Sequence, residues 1–188
     1  MDNLVFSCTD ALPRPTKPAC TTDYGERVVL IAFMKEGGTF TVAGSDNPTA
    51  AEFQTAITAN EVTILSGISN GHRIEQSATE LSGDDTVTGG TERYDVTYRV
   101  EGRIKTFNEE IKRAAEKLDR FSQLRFWFVT DKSYCFGGKT GYNATPNFGA
   151  HIIEGKGQPG YIPFFCDYVM TGADIANYDA NYITLKNP

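Results

Sequence analysis

One stretch of this chain is amphipathic at helical spacing, and strand-patterned segments lie on both sides of it. Thr106, Phe107, Asn108 and Glu109 form a Thr-x-x-Glu box, in which the threonine hydroxyl and the glutamate carboxylate satisfy backbone amides that a helix start leaves free. From there Phe107, Ile111, Ala114, Ala115, Leu118 and Phe121 recur at three- and four-residue steps. Glu109 with Arg113, and Glu116 with Arg120, supply i,i+4 pairs on the polar side. A helix over 107–121 is expected, with an apolar stripe that must pack on a sheet or on another subunit. Just before it, Tyr94, Val96, Tyr98 and Val100 alternate with Arg93, Asp95, Thr97, Arg99 and Glu101, the period of a half-buried strand with one wet face. Just after it, 124–130 returns to strand residues. Strands, one good helix, then strands disfavours the βα alternation of a Rossmann or TIM-barrel fold. It predicts a mainly β, α+β chain: an antiparallel β-sandwich or barrel flanked by one amphipathic α-helix.

The remaining segments fit this plan. Residues 27–34 form a buried strand bounded by Gly25 and by Gly37-Gly38, after which 39–43 pairs back as a hairpin. Asp46-Asn47-Pro48-Thr49 is a turn and helix-start signal leading into a short helix over 50–57. Residues 61–65 form a strand that a turn region at 67–71 ends. The tract 77–92, with Gly83, Asp84, Asp85, Gly89 and Gly90, reads as a long exposed loop or hairpin tip. Residues 133–136 pair with 124–130 across the Asp131-Lys132 turn. Gly137-Gly138 then opens a polar loop running to Gly149, and strands at 150–154 and 161–170 flank a turn at 155–160. Proline fixes an extended path and removes backbone donors, so Pro13, Pro15 and Pro18 make the start of the chain an extended arm. The domain reading is an arm over 1–26 and a single domain over 27–188, the count expected for 188 residues.

Chemistry is sparse. Eighteen basic against twenty-four acidic residues leave a net charge of -6 with no offsetting cationic cluster, which argues against tight nucleic-acid binding. The longest wholly apolar run, 28–34, is far short of a membrane span, and Met1-Asp2-Asn3 lacks the start of a signal peptide. Cys8, Cys20, Cys135 and Cys166 lie far apart with no C-x-x-C pair; Cys135 and Cys166 sit among aromatics and read as buried thiols. His72 follows a turn signal and His151 opens a strand, neither in a catalytic setting. Asp84-Asp85 and the group Asp174, Asn177, Asp179, Asn181 lack calcium-loop spacing and read as solvated turns. Asn143-Ala144-Thr145 matches a glycosylation sequon by chance. No catalytic residue, cofactor or metal site is expected, and the chain is not read as an enzyme. The repeated Asn177-Tyr178 and Asn181-Tyr182 place amphipathic aromatics where another chain would make contact.

Strands around 94–104, a capped helix at 107–121 and strands from Leu124 onward resemble the order of the tail tube fold of tailed bacteriophages. The resemblance is architectural and covers about 61–171. It implies a virion structural protein that self-assembles into stacked hexameric rings forming a DNA conduit, made in the host cytoplasm, with itself and other virion proteins as partners. It also implies interface roles for Pro13, Pro15, Pro18, Asp84, Asp85, Tyr178 and Tyr182, and a lumen-facing role for Asp95 and Glu101. A capsid auxiliary or head–tail connector protein shares this character. A small-ligand-binding or enzymatic β-barrel is the alternative from another class.

Overall fold

The structure is a computed structural model describing residues 25, 27–38, 40, 47–82, 91–105, 109–121, 124–153, 155, 160–170 and 176–185, with 77–82 and 91–95 described by backbone alone. In chain order the elements are β1 (Val28–Lys35), α1 (Ala50–Thr58), β2 (Val62–Ser66), β3 (Ile68–Ser82), β4 (Thr91–Lys105), α2 (Glu109–Leu118), β5 (Leu124–Thr130), β6 (Tyr134–Phe136), β7 (Tyr142–Phe148), β8 (Tyr161–Met170) and β9 (Ala176–Tyr178), followed by a 3-10 turn, Tyr182–Thr184. All nine strands join one sheet with antiparallel pairings. The fold is the expected mainly β, α+β arrangement.

The main path runs β2-β1-β5-β7-β8-β4-β3. Its hydrogen-bonded ladder does not close among the described residues, yet its two end strands are consecutive in the chain. Only Gly67 separates β2 from β3, and its φ of +72° is a bend open mainly to glycine. The sheet therefore rolls into a barrel-like body whose corner is a strand bent between its two halves. At the seam Gly71 lies so close to β1 that a Cβ there would overlap the Val28 carbonyl oxygen.

Two apolar cores follow. Ile31, Phe33, Val100, Ile104, Phe126, Phe128, Phe164 and Tyr168 fill the inside of the rolled sheet, and Leu118 of α2 packs against them. On the outer side of β1, β2 and β5, Leu30, Met34, Ile64 and Trp127 meet Phe53 and Ile57 of α1 and Tyr182 and Leu185 of the C-terminal segment. Strands β1 and β5 are covered on both faces, so β1 reads as an unbroken apolar run from Val28 to Met34 and β5 as one from Phe126 to Val129. In α1 the Thr49 hydroxyl accepts from the Glu52 amide at 3.3 Å, and the Glu52 carboxylate accepts from the Thr49 amide at 2.7 Å.

Several expectations change. The region 67–71 is no turn: Asn70-Gly71 sits in a β-bulge where three steps of β3, Ser69 to His72, oppose two of β4, Arg103 to Glu101. Of the tract read as a loop, 77–82 and 91–92 are strand, and 83–90 lies outside the described residues. The loop expected between Gly138 and Gly149 contains β7, with Ala144 and Pro146 buried and Asn143, Thr145 and Asn147 exposed. Pro146 is tolerated because the β5 ladder ends at Ala144, leaving β7 an edge on that side. Of 150–154, Ile152 alone among the described residues bridges, to Tyr161, and 154 lies outside them. Thr106 and Phe107 lie outside the described residues. Phe121, placed in the buried stripe by its spacing, follows the end of α2 and is 39% exposed.

Candidate functional site

The helix and the C-terminal segment cover the outer face of only half the sheet. Over β3, β4, β7 and β8 the outer face carries no helix among the described residues, because alternation turns the apolar partners inward and leaves a polar row outside. On β4 that row is Arg99, Glu101 and Arg103. Asp167 of β8 accepts from Arg99 at 2.6 Å and 2.9 Å in a two-pronged pair, which holds the Arg99 guanidinium even further above its ordinary value. Arg99 also lies 4.2 Å from the Phe165 ring centroid, and Arg103 lies 4.7 Å from that of Tyr161. His72 sits 3.2 Å from Glu101 through Nε2 and 2.9 Å from the Asn70 carbonyl through Nδ1. The face thus carries guanidinium groups stacked on aromatic rings, with Arg99 paired to Asp167 and His72 beside Glu101.

Two further features stand apart from this face. At the Thr91 end of β4, β3 and β4 continue as a two-stranded ribbon: β8 pairs with β4 only as far as Val96–Met170, whereas the β3 register runs on to Ser82–Thr91. Elsewhere, α2 forms one wall of a groove of about 890 Å³ against the ends of β1 and β5. Phe33, Met34, Leu118, Phe121 and Leu124 give it an apolar floor, and Lys35, Arg113 and Lys117 stand on its rim with Glu61 and Glu110. The Lys35 ammonium lies 5.8 Å from the Phe121 ring centroid.

Against this geometry the sequence-derived candidates separate. Pro13, Pro15, Pro18, Asp84 and Asp85 lie outside the described residues, and so do Cys8, Cys20 and Asp174. Asp95 holds a position in the ribbon part of β4, and Glu101 is on the uncovered face, half-buried beside His72. Tyr178 is 63% exposed on β9, against the Tyr134 ring at 5.4 Å. Tyr182 is a correction: it is 1% exposed, and its hydroxyl donates to the Pro48 carbonyl at 2.6 Å, so it packs inside the protomer. Burial pushes its phenol up from the ordinary value. Asp179 caps the start of α1, accepting from the Ala50 amide at 3.2 Å, and also accepts from the Asn181 amide. The groove was missed by sequence reasoning, because its walls come from four distant segments.

Cys135 and Cys166 are fully buried, and burial raises both thiols far above the range in which a thiolate nucleophile forms. Among the described residues no three His, Cys, Asp or Glu side chains are grouped to hold a metal ion, and no helix is long and apolar enough to cross a membrane. The arrangement offers surfaces for contact: an uncovered sheet face, a projecting ribbon and a groove. No family model, no curated protein and no solved structure matches this chain.

Proposed function

We propose that this chain is a virion structural protein, a tail tube subunit of the kind found in tailed bacteriophages, which self-assembles into stacked rings around a conduit for DNA. The observation that carries the reading is the ribbon. A two-stranded ribbon is marginal in water, and among the described residues this one has no third strand past the last β8 partner, Met170. A strand pair of that kind gains its packing from another chain, and a second copy is the partner a self-assembling subunit supplies. The uncovered face of β3, β4, β7 and β8, including Glu101, fits a wall that either lines a channel or meets a neighbour. Head–tail connector and capsid auxiliary proteins fit the same features.

A second reading, a small-ligand-binding β-barrel, draws on the groove, whose volume falls in the range of ligand pockets. Sedimentation velocity of the purified chain over a hundredfold concentration range separates the two. A tube subunit gives ring-sized or larger species that grow with concentration. A ligand-binding module gives one small species throughout, which would overturn the proposal.

A further inference from the structure

The groove beside α2 sorts its side chains by position. Phe33, Met34, Leu118 and Leu124 make a floor that is apolar and well packed, each of them buried. Phe121, by contrast, is 39% exposed. The Lys35 ammonium stands 5.8 Å from the centroid of that ring, and Lys117 precedes it by four residues, on the same side of the last turn of α2. Both lysines are exposed, and neither makes an ion pair among the described residues. The lining carboxylates do not cancel this pair. Glu110 lies about two turns back along α2, where Arg113 is its i,i+3 neighbour and lies 3.7 Å from Glu109 as well. Glu61 immediately precedes β2, whose Val62 pairs with Met34, so it is the lining acid on the Lys35 side. At the Phe121 end, two ammoniums against that one carboxylate leave an excess of one positive charge. Gly38 closes the same end of β1, and a Cβ there would overlap the Met34 side chain, so glycine leaves the floor undisturbed.

We propose that this groove binds the anion of a single-chain aliphatic carboxylic acid, with its carboxylate between Lys35 and Lys117 and its chain along Phe33, Met34, Leu118 and Leu124. An excess of one positive charge matches a monoanion and repels a cationic amphiphile of the same length. The floor side chains carry no N–H or O–H group, so a saturated chain is what they fit. Walls on two sides, α2 and the strand ends, suit one chain rather than the face of a bilayer. This goes beyond the tube-subunit reading and does not depend on it, because a ring subunit and a single copy present the same groove.

Isothermal titration calorimetry of the full chain tests the proposal, with dodecanoate and dodecyltrimethylammonium as probes. Dodecanoate is expected to bind once per copy with a Kd of about 10–100 µM, and dodecyltrimethylammonium about tenfold more weakly or worse. Shortening the acid to decanoate should weaken binding about two- to fourfold for each methylene removed. Lys35→Glu with Lys117→Glu, at two exposed positions, should invert the preference, so that the cationic probe binds the better of the two. That gain is one an unfolded variant would not show. Phe121→Ala should weaken dodecanoate while keeping the preference for the anion. No saturable uptake of dodecanoate by the parent up to about 1 mM would overturn the proposal. Equal affinity for the two probes, or a reversed variant that still prefers dodecanoate, would overturn it as well. So would flotation of the parent with phosphatidylcholine–phosphatidylglycerol vesicles in the absence of any uptake of free dodecanoate, since the groove would then be a membrane contact. Assembly is read separately, by sedimentation without ligand, so this site and the tube reading can fail independently.

Discussion

Two tyrosines in matching Asn-Tyr pairs, Tyr178 and Tyr182, end in opposite environments, one 63% exposed and one 1% exposed. Spacing cannot separate them, because the 3-10 turn Tyr182–Thr184 redirects the chain and the buried partner of Tyr182 is Pro48, 134 residues away. Tyr182→Phe removes the donor to that carbonyl and leaves a buried acceptor unpaired. It is expected to cost about 1–2 kcal/mol in urea denaturation at neutral pH; an unchanged midpoint would contradict the bond. The same residue sets an alkaline limit. Burial raises the folded-state pKa of the Tyr182 phenol and of the Cys135 and Cys166 thiols, so folding favours the protonated forms. Their contribution is fully present below the ordinary values of 9.0 for the thiols and 10.0 for the phenol, and it is lost as pH rises above them. Each group adds a slope of about 1.4 kcal/mol per pH unit. Stability should be level to about pH 8 and fall steeply by about pH 10.5, with the fall shallower in Tyr182→Phe.

Among the elements, α2 joins the two halves of the chain, and its burial separates two residues that spacing placed on one stripe. Leu118 is 7% exposed against the inner core, whereas Phe121 is 39% exposed. Leu118→Ala should therefore cost about 2–5 kcal/mol, and Phe121→Ala less than about 1 kcal/mol; equal costs in thermal denaturation would contradict the placement. The elements legible in the sequence were those whose pattern is local. β5 carries a β-branched and aromatic run from Phe126 to Thr130, α1 carries its capping box at Thr49 and Glu52, and the Tyr98–Glu101 part of β4 alternates. β7 was not legible, because its buried positions are Ala144 and Pro146 and its exposed ones Asn143, Thr145 and Asn147, a composition shared with loops. Its strand character comes from pairing with β8, which is tertiary information. Asn70-Gly71 misled in the same way: a turn signal was accommodated as a bulge within a continuing strand. Of the candidate site, Arg99 and Glu101 of the wet row were readable from alternation, while the groove was not, because Phe33, Asn60, Arg113 and Leu124 meet only after the sheet has rolled.

For the whole molecule, the bent β2–β3 strand shapes a rolled sheet whose outer face over β3, β4, β7 and β8 is bare of helix among the described residues. Net charge bears on what the proposed assembly would conduct. Each copy carries -6, and a ring multiplies this without concentrating cations, since Arg99 on the bare face is already held by Asp167. A wall of that charge repels a phosphate backbone. The purified assembly should show no retention of duplex DNA in filter binding at physiological salt; micromolar, salt-sensitive binding would point to a nucleic-acid-contacting role. The central proposal is self-assembly of one chain into stacked rings, and negative-stain microscopy of the purified protein tests it most directly. Rings with a central channel, stacking into tubes as concentration rises, are the predicted result. Uniform small particles of a single 20.7 kDa copy at every concentration would contradict it.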